Sequence, residues 1–157
     1  MTTVESIESV LERHPFFKDI EPRLVHQMAE HASLSSFETG QMIFRQGEAA
    51  NQFYIISKGQ VALEVFAPQQ GAIPLMTLSD GDVLGWSWLF EPYIWHLDAR
   101  AMVETQTITL DGAGLRAECD HNHELGYHLM KHSVEIVVQR LQAALMQVID
   151  VYGLKKQ

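Results

Sequence analysis

The chain has 157 residues, 46% of them hydrophobic and 20% charged, with a formal net charge of −9 and a single cysteine, Cys119. That length and balance suit one folded domain with a core of its own. They exclude an internal disulfide, an apolar run of about 18 residues that could span a membrane, and the basic surface needed to bind nucleic-acid phosphates directly.

The opening stretch lacks the basic region and apolar core of a secretory signal, so a cytoplasmic location is expected. Residues 2–13 carry a helical period, with Thr3 as a cap and Val4, Ile7, Val10 and Leu11 on one face. His14-Pro15 ends that helix. Residues 21–31 form a second, with Pro22 in its first turn. The N-terminal helices thus span residues 2–31.

From Ser33 the period changes. Apolar runs of four to eight residues alternate with Glu-Thr-Gly, Gln-Gly-Glu and Lys-Gly up to about residue 110. That is the pattern of short strands in a closed or double-sheet β unit. The helical period returns over residues 112–152. A short helix covers 112–118, Asp120 caps the next, and no proline interrupts the chain from about residue 121 to Tyr152. At about 1.5 Å per residue such a helix is nearly 50 Å long and overhangs a domain of this size unless a second chain covers it. Val134, Val138, Leu141, Leu145, Val148 and Tyr152 recur in steps of four and three, the spacing of a coiled-coil seam. A homodimer through this helix is expected. The alternative lays the stripe on the chain's own β unit. Leu125, Leu129 and Ile136 fall on another side and should pack on the domain itself. The fold class is therefore mainly β with flanking helices, a single domain over 1–157 with its β unit at 33–110.

Residues 37–61 add Phe37, Gly40, Ile43, Gln46-Gly47, Ala50, Tyr54, Ile56, Gly59 and Val61 in fixed spacing. This pattern resembles the cyclic nucleotide-binding domain of catabolite-activator-type regulators and kinase regulatory subunits. The resemblance runs from about residue 16 to 150. It implies a β-roll or jelly roll, a last helix that dimerises, and the role of a regulatory sensor in signal transduction.

The same resemblance places a phosphate-binding cassette on "GDVLGWSWLFEPYIWHLDARA", residues 81–101. Gly81, Asp82, Gly85, Leu89 and Phe90 fit it. The Glu that grips the ribose is replaced by Trp86. The Arg that neutralises the phosphate falls on Trp95 or His96, and Leu97 lacks the hydroxyl that follows. Arg100 lies four or five residues late and, on a regular strand, faces the way His96 faces; it or His96 would serve a displaced anchor for weak nucleotide binding. Losing both grips should weaken cyclic AMP binding by two or more orders of magnitude, on the order of 1.4 kcal/mol per factor of ten. Gly85, Trp86, Ser87, Trp88, Leu89, Trp95, His96 and Arg100 thus line the altered pocket. Two readings stay open there. Trp86, Trp88 and Trp95 either fill the vacated space or line a pocket for an apolar or aromatic ligand, with His96 and Ser87 as polar handles.

No cofactor or metal is expected. Glu124, His128 and His132, four residues apart on one helical face, are the set a metal would use. No Gly-x-Ser-x-Gly or phosphate-loop motif occurs, and Cys119 sits between Glu118 and Asp120, which raise its pKa. An enzyme is not expected. Asp98, Arg100 and Glu104 are placed to form cross-strand ion pairs. Only five residues follow Tyr152, so a stand-alone module without a helix-turn-helix domain is expected.

Overall fold

A computed structural model describes residues 4–153, and the expected Thr3 cap lies outside the described residues. Helix α1 (Val4–Arg13) stops at His14, whose Nδ1 accepts from the Phe16 amide and opens a single 3-10 turn, Pro15–Phe17. Helix α2 (Pro22–Glu30) buries Leu24, Val25, Met28 and Ala29, against which α1 sets Ile7 and Leu11. Both helices are short, so they hold their shape by packing an apolar face rather than by propensity.

Eight strands follow: β1 (Ser33–Phe37), β2 (Met42–Phe44), β3 (Gln52–Lys58), β4 (Gln60–Ala67), β5 (Gly71–Ser79), β6 (Val83–Leu84), β7 (Asp98–Ala101) and β8 (Thr105–Asp111). They form two antiparallel four-stranded sheets, ordered β1-β8-β3-β6 and β2-β7-β4-β5. This is the mainly β double-sheet unit with helices at its ends. Gly59, at φ 137, turns β3 into β4; a Cβ there would come within 2.4 Å of Thr105 Oγ1, so only glycine fits. On β7 the pleat turns Ala99 and Ala101 into the core and Arg100 to the other face.

Helix α3 (Gly112–His121) is capped by Asp111, whose carboxylate accepts from the Gly114 amide at 3.0 Å. Asn122 adopts an extended backbone and caps α4 (His123–Val151) by accepting from the Leu125 amide at 3.1 Å. Asp120 is therefore not the cap; it lies inside α3, and the amide side chain two residues on makes the break. Leu125 and Leu129 of α4 are buried and Ile136 packs against the core. The stripe of Val134, Val138, Leu141, Leu145, Val148 and Tyr152 is 44–74% exposed, so it does not pack on the chain's own β unit. Yet α4 does not leave the roll at once. Arg140 donates to the Val83 carbonyl of β6, and Gln147 Nε2 donates to the Leu75 carbonyl at 2.8 Å. Among the described residues no helix is long and apolar enough to cross a membrane.

Candidate functional site

The segment after β6 opens on Gly85 at φ 102 and runs through Trp86 into a 3-10 turn, Ser87–Leu89. Its return leg is held by the β2–β3 loop. Gly47 N donates to the Trp95 carbonyl at 2.8 Å, Trp95 N to Glu48 at 3.0 Å, and Ala50 N to Tyr93 at 2.8 Å. Ala50 is fully buried at this seam.

The three tryptophans part company. Trp88 is 0% exposed and lies parallel to Phe53, ring centroids 4.5 Å apart. Trp95 is 4% exposed and stacks on Phe44 at 3.8 Å and 9°. Phe44 in turn stacks on Tyr54 of the facing sheet at 6.2 Å, and Tyr54 meets Phe37 edge-on at 6.4 Å. An aromatic column therefore crosses the space between the sheets, each ring adding large apolar burial. The far edge of Trp95 presses on Gly85: a Cβ there would lie 2.6 Å from Cη2. Glycine at 85 thus serves both the turn and the indole.

Trp86 stays half-buried. Its ring lies within 15° of parallel to that of the exposed His96, centroids 6.1 Å apart, and meets Phe90 edge-on at the same distance. Ser87 Oγ, itself buried, is 3.4 Å from His96 Nδ1, and Leu89 is half-buried. Trp86, Ser87 and His96 form one cluster at the surface, separate from the two core tryptophans.

Arg100 does not join them. Residues 96 and 97 are irregular and β7 begins only at Asp98, so the alternation that would carry His96 and Arg100 to one side is broken. Arg100 Nε donates to Glu64 Oε1 at 3.1 Å, and a second nitrogen donates to the Gly40 carbonyl at 3.0 Å. Glu64 is only 7% exposed and Arg100 35%. The pairing expected with Asp98 or Glu104 does not form; Asp98 accepts instead from the Gln46 amide at 2.7 Å. Glu64 was legible as the lone acid in an apolar strand, "QVALEVFA".

Two arginines escape sequence reasoning. Arg116 of α3 lies 3.9 Å over the Tyr93 ring and donates to the Trp88 carbonyl, tying both legs of the segment to α3. Arg140 fixes β6 to α4. Burial depresses its pKa, and nearby Asp82 partly opposes that shift. Their only signal was a cation standing alone among helical apolar positions.

Glu124, His128 and His132 do not assemble a metal site; among the described residues no group of three or more His, Cys, Asp or Glu could hold one. His132 is buried, and its Nδ1–H donates to the Phe16 carbonyl at 2.6 Å. The Cys119 thiol is pushed up to about 11, first by burial and then by Asp120 and Glu118, which leaves it inert near neutrality.

A family model described as "Cyclic nucleotide-binding domain" matches residues 34–122, more than half of the chain, a span that runs from β1 to the end of α3 and stops short of α4. The chain belongs to the cyclic nucleotide-binding domain family. Within it, the chain is 23% identical over 125 residues to a CRP-like cAMP-activated global transcriptional regulator of Mycobacterium tuberculosis, covering 80% of this chain and 56% of that protein. It therefore spans little more than half the length of that relative. A putative cyclic nucleotide-binding protein from Geobacter metallireducens GS-15 superimposes with a TM-score of 0.77 at 26% identity, over 90% of this chain and 99% of the other. The sensor domain of the transcriptional regulator DNR from Pseudomonas aeruginosa gives 0.74 at 20% identity, over 88% and 93%. This cyclic nucleotide-binding-like domain is thus similar to regulatory proteins, and its match takes in the whole cassette region.

Proposed function

We propose that this domain is a non-enzymatic regulatory module whose cassette does not take cyclic AMP at micromolar levels, and whose output passes through a dimer formed by α4. The observation that carries the reading is Trp95. One of the two positions where the family's phosphate arginine falls is this buried indole, stacked on Phe44 and pressed on Gly85. The other is His96, an exposed ring on Trp86. Arg100, the displaced candidate, is committed to Glu64. A cyclic phosphate entering here would forgo a charge-assisted contact worth about 1.5–3 kcal/mol, before any clash with the aromatic column. The ribose contact is lost as well, because Trp86 offers no carboxylate.

The output side rests on the exposed apolar stripe of α4, whose steps of four and three suit a seam between two copies. The relatives it resembles are named as a transcriptional regulator and a sensor domain, which agrees with a regulatory role.

A second reading is favoured by the Trp86–His96 stack. Its half-buried indole, with Ser87 behind it, suits a flat aromatic ligand that carries no phosphate. Titrating intrinsic tryptophan fluorescence of the wild type and of Trp86→Phe against cyclic AMP, cyclic GMP and adenosine separates the readings. No saturable change with any of them supports a closed module that acts through protein contacts. A saturable change with adenosine alone, lost in Trp86→Phe, supports the second. A micromolar response to cyclic AMP overturns both.

A further inference from the structure

We propose that the cleft between α4 and the β5–β6 turn is a second ligand site, for a small carboxylate with an apolar body. It encloses about 460 Å³ and shares no residue with the Trp86–His96 cluster. That volume falls in the range of small-molecule pockets, which pair apolar walls with a few placed polar groups. Phe16, Leu78 and Ile136 supply the apolar wall here. Thr77, Gln139 and Arg140 supply polar groups.

Arg140 decides the ligand class. Its guanidinium spends one N–H on the Val83 carbonyl and makes no ion pair with a described residue. Asp82 attracts it without closing to contact. The guanidinium keeps its charge against the cost of burial, and its remaining donors form a planar fork that matches a carboxylate edge. His132, 3% exposed, supplies no donor to a carboxylate, because its Nδ1–H is spent on the Phe16 carbonyl. His14, also on the wall, is fully used: Nδ1 accepts from the Phe16 amide and Nε2–H donates to Gly81 at 2.7 Å. A phosphate is disfavoured, since Asp82 and Glu135 border the cleft and would repel a dianion that a single arginine does not neutralise.

Ile136, Gln139, Arg140 and Ala143 of this wall alternate along α4 with the exposed stripe, so an occupant would touch the helix that carries the seam. The site does not depend on the cassette reading.

Octanoate, with octan-1-ol as its uncharged counterpart, tests this on the full chain by 1H–15N NMR. Saturable shifts at Thr77, Asp82 and Ala143 are expected, with octanoate at least about tenfold tighter than the alcohol, the size of one charge-assisted contact. Arg140→Met should bring octanoate to the level of the alcohol. Because that change also removes the tie to Val83, Ala143→Phe provides an independent check. Ala143 is exposed at the cleft mouth, and its enlargement should weaken octanoate at least about tenfold in a folded protein with Arg140 intact. Equal affinity for acid and alcohol, indifference to Ala143→Phe, or shifts confined to Trp86 and His96 would overturn the proposal.

Discussion

The edge of the Trp95 indole occupies the space a side chain at Gly85 would need: a Cβ would meet Cη2 at 2.6 Å, at a backbone φ of 102. Gly85→Ala is therefore opposed twice, by the left-handed backbone and by the ring. The expected loss is roughly 2–4 kcal/mol, read from urea unfolding. Trp95→Phe, which shortens the ring, should return part of it in the double variant. Additive losses would mean that the two residues do not meet.

Glu64 and Arg100 are a structural pair. Arg100→Met leaves a nearly buried carboxylate without its cation and should cost about 1–3 kcal/mol, the lower part of the range because Arg100 is partly solvated. Glu64→Gln should cost less, since the amide still accepts from the guanidinium. Neither change should alter the response to cyclic AMP. A change in nucleotide affinity on removing Arg100 alone would make it an anchor after all.

The α4 stripe makes a prediction about assembly. Leu141 and Leu145 are more than half exposed and lie at the centre of the stripe proposed as the seam. The wild type should run in light scattering at twice its 17.8 kDa mass, and Leu141→Glu with Leu145→Glu at the monomer mass with an unchanged far-ultraviolet spectrum. A monomeric wild type at tens of micromolar would remove the proposed output.

His26 ties α2 to α1: its Nδ1–H donates to Glu8 at 2.8 Å, and Nε2 faces Glu30 at 3.3 Å. The hydrogen bond to Glu8, and then the charges of Glu8 and Glu30, raise its pKa above 6.5. Protonation therefore favours the folded state. The contribution is present in full below pH 6.5 and fades as pH rises through the folded value. The His26 ring resonance should titrate above 6.5, and Glu8→Gln should lower that midpoint. An unshifted midpoint in Glu8→Gln would leave the pairing without effect in solution.

The strands were legible because the turns between them carry Gly40, Gly47, Gly59 and Gly81, all at positive φ, and because β3 and β4 are rich in apolar residues. The apolar stripe of α4 was legible from its period of four and three residues, and the fold leaves it exposed. What escaped depends on distance in the fold. Nothing local in "DARA" tells that Arg100 meets Glu64, 36 residues earlier. The cap of α4 went to Asn122 rather than Asp120 because a cap is chosen by where the backbone extends, not by the acid nearest the break. The tryptophans carried no local sign that two would turn inward and one outward, since that split follows from which partners, Phe53 and Phe44, wait on the facing strands.

Calorimetric titration of the full chain with cyclic AMP tests the central claim most directly, because it reads the loss of both charged grips at once. The account predicts no saturable heat at micromolar nucleotide. A dissociation constant in the micromolar range would contradict it and would mean that the column of Trp95, Phe44 and Tyr54 opens to admit the ligand.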